Sequence, residues 1–299
     1  DMTGAIEIRN LTKRFGTVTA LAGFDLSVPR GSIFGFLGPN GAGKTTTLRI
    51  MAGLARATSG SVVIEGVEVG RGARPPIGYL PDTPGFYGWM TAREFLAYIA
   101  RLHKLTNPPI DAALERVGLA DAHKKRVGGF SRGMKQRLGL AQALINDPKV
   151  LFLDEPTANL DPEGVREYRD LVTRLAGEGK TVFVSSHILS EVRAVCRTVG
   201  LLAKGKLVAQ GTLDEVARTL APSDGDAVRI VVETQEHLPD IEDTELLAVE
   251  RNGNRAVFRA KTDIRDRLAA SLLEQGIHVR EMRIEEPDIE DIFMAAYRR

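Results

Sequence analysis

The chain has 299 residues, of which 43% are hydrophobic and 26% charged, an ordinary composition for a globular protein. Its 40 Lys and Arg residues nearly balance 39 Asp and Glu residues, so the overall charge gives no support for nucleic-acid binding, and we expect no nucleic-acid partner. The single cysteine, Cys196, cannot form an internal disulfide, which fits a reducing cytosol, and we expect it to be buried. Residues 1–8 do not resemble a signal peptide, and no apolar run approaches the roughly 20 residues of a membrane helix.

The first part of the chain, to about residue 220, alternates strand-like and helix-like segments, a pattern typical of an α/β fold. Continuous apolar runs predict strands that are buried on both faces, at 33–37, 150–153 and 182–184. A shorter apolar run, at 77–80, predicts a further strand.

Residues 86–147 change to a helical pattern. Thr91-Ala92-Arg93-Glu94 is a capping box that predicts the start of a helix. Further helices are predicted at 110–117 and 131–145. We therefore expect a helical insertion within the α/β core.

A second, smaller domain is predicted after a linker at 221–226. Its predicted elements are strands at 228–233, 246–250, 256–259 and 277–284, and helices at 264–273 and 289–297. The predicted organisation is an α/β domain at 5–220 and a small α+β domain at 226–299.

A glycine-rich loop lies between the predicted strand 33–37 and an apolar-faced helix. Its residues fit the phosphate-loop pattern G-x-x-x-x-G-K-[ST] and are followed by Thr46: Gly38, Pro39, Asn40, Gly41, Ala42, Gly43, Lys44 and Thr45. Glycines let the backbone approach phosphate, and N–H groups at a helix N-terminus attract anions. The pattern places Lys44 to contact the β- and γ-phosphates and Thr45 to ligate Mg²⁺. The loop follows a predicted buried strand and opens a predicted helix, which is the context that a functional phosphate loop requires and that a chance match to the pattern would lack. The loop therefore predicts an ATP site.

Two carboxylates and a histidine follow the ends of predicted strands. Asp154 and Glu155 come after the run 150–153, where an open parallel sheet places ligand-contacting groups. Asp154 can hold Mg²⁺, and Glu155 can take a proton from, or orient, an attacking water. His187 can contact the γ-phosphate. The alternative interpretations are a helix cap for either carboxylate alone and a structural role for the histidine.

In their order and approximate spacing, these motifs resemble those of the nucleotide-binding subunits of ABC transporters. The resemblance spans about residues 5–220 and implies a P-loop NTPase core, with a RecA-like mixed sheet, flanking helices and a helical insertion. It implies ATP and Mg²⁺ as cofactors. It also implies catalytic roles for Glu155, His187 and Lys44.

One segment resembles the signature that separates this family from other P-loop proteins, usually Leu-Ser-Gly-Gly-Gln: Phe130-Ser131-Arg132-Gly133-Met134-Lys135-Gln136-Arg137. Ser131 and Gly133 match, whereas the residues at 130, 132 and 134 depart. In the family this helix faces ATP held by the opposite subunit, which implies a head-to-tail homodimer, or a pair with a similar ATPase, and a nucleotide-contacting role for Ser131 and Gly133. Alone, the segment would be only a helix capped by Ser131.

Three further positions are matched one at a time. Phe15 matches the aromatic residue that stacks on adenine. Asn159-Leu160-Asp161 matches a loop that communicates across the dimer, although Asp161 also fits the N-cap of a helix beginning at Pro162. Asp82 stands near the position of a glutamine that touches Mg²⁺ in the family. A carboxylate there can ligate Mg²⁺ but adds negative charge beside the phosphates.

The end of the chain resembles an accessory domain that follows the ATPase in many bacterial ABC-2-type exporters, through the segment 286–293. The resemblance implies an ATPase that powers export through integral membrane permease subunits, bound peripherally at the cytoplasmic side of the cell membrane. The loop 85–89 has three aromatic residues among glycines. It is either a docking surface for a partner or a packing element between the insertion and the core.

Two other functions fit some of these motifs. A soluble ABC-type ATPase can act on ribosomes or DNA, but such proteins generally carry two ATPase modules, or zinc or coiled-coil insertions. A regulatory nucleotide-binding module with little turnover is the other alternative, and the presence of both Glu155 and His187 argues for hydrolysis instead.

Overall fold

The structure is a computed structural model that describes residues 4–70, 72, 75–158, 160–220, 228–241, 243–285, 289, 292 and 293. The chain divides into two compact units, Asp1–Val216 and Ala217–Arg299. The predicted linker, 221–226, lies outside the described residues, so the predicted domain limits stay a prediction. In the part of the chain that is described, no helix has the length and apolar character needed to cross a membrane.

The first unit contains a six-stranded mixed sheet in the order β10-β9-β3-β8-β7-β6. Its strands are β3 (Ile33–Leu37), β6 (Ile77–Leu80), β7 (Val150–Asp154), β8 (Thr181–Ser186), β9 (Thr198–Ala203) and β10 (Lys206–Thr212). Every neighbouring pair is parallel except β9 and β10, which are antiparallel. This confirms the predicted P-loop-type α/β core, and it brings the carboxyl ends of β3, β7 and β8 to one edge.

A second sheet of the first unit was not predicted. It has the order β2-β1-β4-β5 and consists of β1 (Ile6–Phe15), β2 (Val18–Val28), β4 (Ser59–Ile64) and β5 (Val67–Glu68). All its neighbouring strands are antiparallel. Register shifts within the β1–β2 pairing break the alternation of apolar and polar residues, which removes the sequence pattern of a strand.

The helices of the first unit are α1 (Lys44–Met51), α2 (Ala92–Leu102), α3 (Ile110–Arg116), α4 (Arg132–Leu144), α5 (Pro162–Gly177) and α6 (Leu189–Arg193), and α7 (Leu213–Leu220) follows. The capping box at α2 is confirmed, because the Thr91 hydroxyl accepts from Glu94 N and the Glu94 carboxylate accepts from Thr91 N. The helices α2, α3 and α4 form the predicted insertion.

The apolar run of strand β7 is continuous because its side chains enter two different cores. Leu151 and Leu153 belong to a core shared with α2–α5, whereas Val150 and Phe152 belong to a core shared with the antiparallel sheet. The strand is therefore covered on both faces, as predicted. Cys196 is buried, also as predicted, and burial raises the pKa of its thiol to about 12.

The second unit is a four-stranded antiparallel sheet with one described helix of regular length. Its elements are β11 (Val228–Thr234), β12 (Leu246–Asn252), β13 (Arg255–Ala260), α8 (Arg265–Glu274) and β14 (Val279–Ile284), with sheet order β12-β13-β11-β14. Ile230 and Phe258 on the sheet share a core with Leu268 and Leu272 on α8. Most of the predicted last helix, 289–297, lies outside the described residues.

Candidate functional site

The phosphate loop connects β3 to α1 at the carboxyl edge of the six-stranded sheet. Gly43 is the N-cap of α1 and has φ 109°, a conformation that favours glycine. No side chain caps this N-terminus, and the first turn has no acidic residue. The loop also lies close to β9, since a Cβ on Gly38 would come 2.4 Å from Leu202 O. The helix end is thus shaped as an anion site.

Gly43 and Gly41 offer a matched test of how closely the phosphate loop packs against its neighbours. Both have positive φ, but a Cβ on Gly43 would lie 2.6 Å from Leu21 Cδ2 and 2.9 Å from Ala20 O, whereas one on Gly41 would meet nothing within 4 Å. We expect Gly43→Ala to lower the free energy of unfolding by about 2 kcal/mol or more and to weaken nucleotide binding, and Gly41→Ala to cost about 1 kcal/mol. Urea unfolding of the two variants checks this, and equal losses would contradict the packing.

Lys44 joins the phosphate loop to Glu155. Its side chain is 6% exposed. The ammonium donates hydrogen bonds to Gly38 O at 2.6 Å and Pro39 O at 3.3 Å, and it lies 3.2 Å from Glu155 Oε1. Two backbone carbonyls and one carboxylate thus hold the ammonium at the edge of the sheet where the anion site lies.

Asp154 lies at the end of β7 and is fully buried. Ser185 Oγ donates to Asp154 Oδ1 at 2.5 Å, whereas Oδ2 has no hydrogen-bond partner in the described part of the chain. Burial raises the pKa of Asp154 above its ordinary value, hydrogen bonding from Ser185 and Thr45 opposes the rise, and the charges of Asp82 and Glu155 add to it. The structure therefore brings Asp82, which is exposed, and Thr45 into the surroundings of this carboxyl group.

Glu155 and His187 are in direct contact. Glu155 Oε2 lies 2.8 Å from His187 Nδ1, and Oε1 faces Lys44. The backbone of Glu155 has φ 46°, an uncommon value for a residue other than glycine, and its N–H donates to both the backbone oxygen and the hydroxyl of Ser185. The predicted catalytic residues Lys44, Glu155 and His187 are thus brought together.

The signature-like segment forms the N-terminus of α4. Ser131 is its N-cap and accepts a hydrogen bond from Met134 N at 3.2 Å. A groove of about 370 Å³ is lined by residues that include Ser131, Gly133, Leu160 and Asp161. Asp161 also caps α5 by accepting from Gly164 N, while Asn159 lies outside the described residues. Within the described residues, neither Ser131 nor Gly133 hydrogen-bonds to the phosphate loop of the same chain.

Phe15 ends β1 and is 55% exposed. The ammonium of Lys13 lies 4.7 Å from the centroid of the Phe15 ring and donates to Arg56 O at 2.8 Å. The cation is thereby fixed against the ring, and a cation over an aromatic ring is a favourable contact. The geometry leaves an exposed aromatic surface of the kind that stacks on a base.

The aromatic loop 85–89 has one packed and two exposed aromatic side chains, and its role in docking stays a prediction. Phe86 packs against Phe95 with ring centroids 5.0 Å apart, so this residue joins the core. Tyr87 and Trp89 are 48% and 65% exposed, and Tyr87 also lies 5.9 Å from the ring of Tyr98 on α2. The exposed rings of Tyr87, Trp89 and Tyr98 form an aromatic surface.

The sequence did not predict a role for three polar residues of the site, Ser185, Thr157 and Glu191. Ser185 bonds to Asp154 and to the backbone of Glu155, and Thr157 and Glu191 hydrogen-bond to one another. The pair Ser185-Ser186 directly before His187 was a usable signal, because hydroxyls at a strand end are free to bind neighbouring loops.

Comparison with known proteins identifies the family. The family model for ABC transporters matches residues 21–158. The chain is 40% identical to the bacitracin transport ATP-binding protein of Bacillus licheniformis, over 98% of this chain and 97% of that relative. It is 39% identical to the lantibiotic transport ATP-binding protein SrtF of Streptococcus pyogenes, over 70% of this chain and 91% of that relative.

Among solved structures, a bacterial ABC transporter cassette with a dimeric structure superposes with a TM-score of 0.63 at 25% identity, over 69% of this chain and 98% of that one. The chain therefore belongs to the ATP-binding subunits of ABC transporters, and it is an ATPase.

Proposed function

We propose that this ATPase powers export of a substrate through separate integral membrane permease subunits, from the cytoplasmic side of the membrane. The observation that carries the catalytic part is the contact group of Lys44, Glu155 and His187. The names of the two relatives, for bacitracin and lantibiotic transport, support transport as the purpose of the hydrolysis. They also make compounds of these two kinds the first substrates to test.

Each member of the contact group has a separate task in hydrolysis. Lys44 binds the β- and γ-phosphates, because it is a cation beside the anion site at the start of α1. Glu155 orients the attacking water and accepts its proton. Lys44 and His187 hold the two oxygens of that carboxylate. His187 uses Nδ1 on Glu155, which leaves Nε2 for the γ-phosphate.

The residues beside the phosphate loop fit Mg²⁺. Asp154 Oδ2 is a buried carboxylate oxygen without a partner in the described chain, and a divalent cation would offset the burial that raises the pKa of this group. Thr45, Asp154 and Asp82 would hold the ion, directly or through water, together with the phosphates. When bound, Mg²⁺ supplies positive charge against the phosphate oxygens.

Two copies would complete the ATP site. Ser131 and Gly133 sit at the N-terminus of α4 beside an open groove, and the similar cassette is dimeric. In a head-to-tail pair, each copy would present this helix end to the ATP on the phosphate loop and Phe15 of the other. A closely similar ATPase could replace the second copy.

The permease would bind two features of the first unit. One is the exposed aromatic surface of Tyr87, Trp89 and Tyr98. The other is a groove of about 480 Å³ between the core and the insertion, lined by residues that include Leu54 and His103. Large exposed aromatic side chains are enriched at protein interfaces and often carry most of the binding free energy.

Substitution of Trp89 tests the docking. We expect Trp89→Ala to weaken binding to the permease subunits by at least about 2 kcal/mol, or roughly 30-fold, because truncating an exposed tryptophan anchor has such effects. The measurement is co-purification of the permease subunits from the native membrane, with Leu273→Ala, which changes another exposed apolar residue, in the second unit, as the control.

ATP binding by the isolated Trp89→Ala protein should stay unchanged. If the wild-type chain brings down nucleic acid and no multi-span protein, the transporter function is wrong. If Trp89→Ala retains its permease as the wild type does, only the docking surface is wrong.

A further inference from the structure

Glu191, which is not part of the contact group, connects the two chain segments that carry Glu155 and His187. Glu191 lies on α6, and Oε2 of its carboxylate accepts hydrogen bonds from the hydroxyls of Thr157 and Ser186. The Ser186 bond is 3.2 Å long. Both donors are buried, at 8% and 2% exposure, so neither hydroxyl has ready access to bulk water as a substitute partner.

The two donors belong to different segments of the site, the loop after β7 and the end of β8. Thr157 lies shortly after Glu155, and Ser186 directly precedes His187. Ser186 Oγ also accepts from Ile188 N at 3.0 Å, so it holds the backbone on both sides of His187. Glu191 therefore ties the two segments at a second point, beside the Glu155–His187 contact.

The surroundings of Glu191 favour a fixed geometry. A small space beside it is lined by residues that include Tyr168, Arg169, Val184 and Val192. The pKa of Tyr168 is raised well above its ordinary value, first by burial and then by nearby Cys196 and Glu191. Glu191 is half-buried, and the hydroxyls of Thr157 and Ser186 hold its carboxylate in place.

We propose that Glu191 is a positioning residue for ATP hydrolysis, which keeps Glu155 and His187 in register by binding Thr157 and Ser186. The inference rests on the roles proposed above for Glu155 and His187. Since displacement of a catalytic group by about 1 Å can cost roughly 100-fold in rate, loosening these segments affects the chemical step. Nucleotide affinity depends instead on the phosphate loop and Phe15, which Glu191 does not contact.

The test uses paired substitutions at both ends of the contact. We expect Glu191→Ala and Thr157→Val to lower kcat roughly 10- to 100-fold while KM for ATP stays within about twofold. Valine preserves the shape of threonine without its hydroxyl, and Thr157→Ser, which retains the donor, should restore most of kcat. The control is Ser190→Ala, an exposed neighbour of Glu191 on the same helix.

The double variant Glu191→Ala with Thr157→Val should be no slower than the slower single variant, because both remove the same contact. A merely structural role would lower the melting temperature and change KM without rescue by serine. Unchanged kcat in Glu191→Ala, or equal kcat in the Thr157→Val and Thr157→Ser variants, would overturn the proposal.

Glu155→Gln is measured in the same series to separate the two proposals. If it hydrolyses ATP normally, the proposed catalytic role of Glu155 is wrong. If Glu155→Gln is inactive but Glu191→Ala is fully active, only the positioning role is wrong.

Discussion

Glu155→Gln should bind ATP and fail to hydrolyse it. The amide keeps the size of the carboxylate and can still contact His187, but it cannot accept a proton from water, so we expect turnover to fall by about 10²- to 10⁴-fold. Affinity for ATP should not fall. The substitution removes the negative charge 3.2 Å from the Lys44 ammonium, which leaves that cation more available to phosphate.

Blocked hydrolysis should also stabilise the ATP-bound pair of subunits. In the proposed dimer, closure requires ATP and opening follows hydrolysis, so Glu155→Gln should double in mass on addition of ATP and Mg²⁺ in light scattering. Glu115→Gln, an exposed glutamate on α3, is the control. A Glu155→Gln protein that stays monomeric with ATP and turns over normally would contradict both roles.

Lys44→Ala should lose ATP binding. The ammonium is almost fully buried between loop carbonyls and Glu155, so its removal takes away a preorganised cation and leaves a carboxylate close to where the phosphates bind. The ammonium and the ATP phosphates would form a charge pair across the binding interface, and truncating one partner of such a desolvated pair costs about 2–5 kcal/mol, which predicts a loss of affinity of at least roughly 30-fold.

Calorimetric titration with ATP measures this loss. Lys149→Ala, which removes an exposed lysine from the start of the strand that ends at Asp154, is the control and should bind ATP as the wild type does. Urea unfolding of Lys44→Ala separates lost binding from lost folding. If Lys44→Ala binds ATP with unchanged affinity, the phosphate loop is not the nucleotide site.

The core of the fold was predictable because its strands have an unusual sequence pattern. The run at β7 is continuous in apolar residues since its side chains enter two cores alternately. The capping box of α2 was predictable for a local reason, since both of its hydrogen bonds join residues three positions apart. The antiparallel sheet was not, because bulges in β1 interrupt the alternation on which such a prediction depends.

The candidate site was predictable in its residues but not in their contacts. The phosphate loop is a local motif, whereas the contact of Glu155 with His187 joins residues 32 positions apart and depends on two neighbouring parallel strands. Glu191 gave no recognisable signal, since its partner Thr157 is 34 positions away. The sequence likewise did not show that Asp82 lies close enough to Asp154 for its charge to raise the pKa of that carboxyl group.

In the proposed mechanism, Glu155, held by Lys44 and His187, activates the water that hydrolyses ATP. The most direct test of this role is phosphate release from wild-type protein and from Glu155→Gln, each preloaded with the same amount of ATP and started with Mg²⁺. We expect the wild type to release phosphate and Glu155→Gln to retain intact ATP. Equal rates of phosphate release from the two proteins would contradict this role.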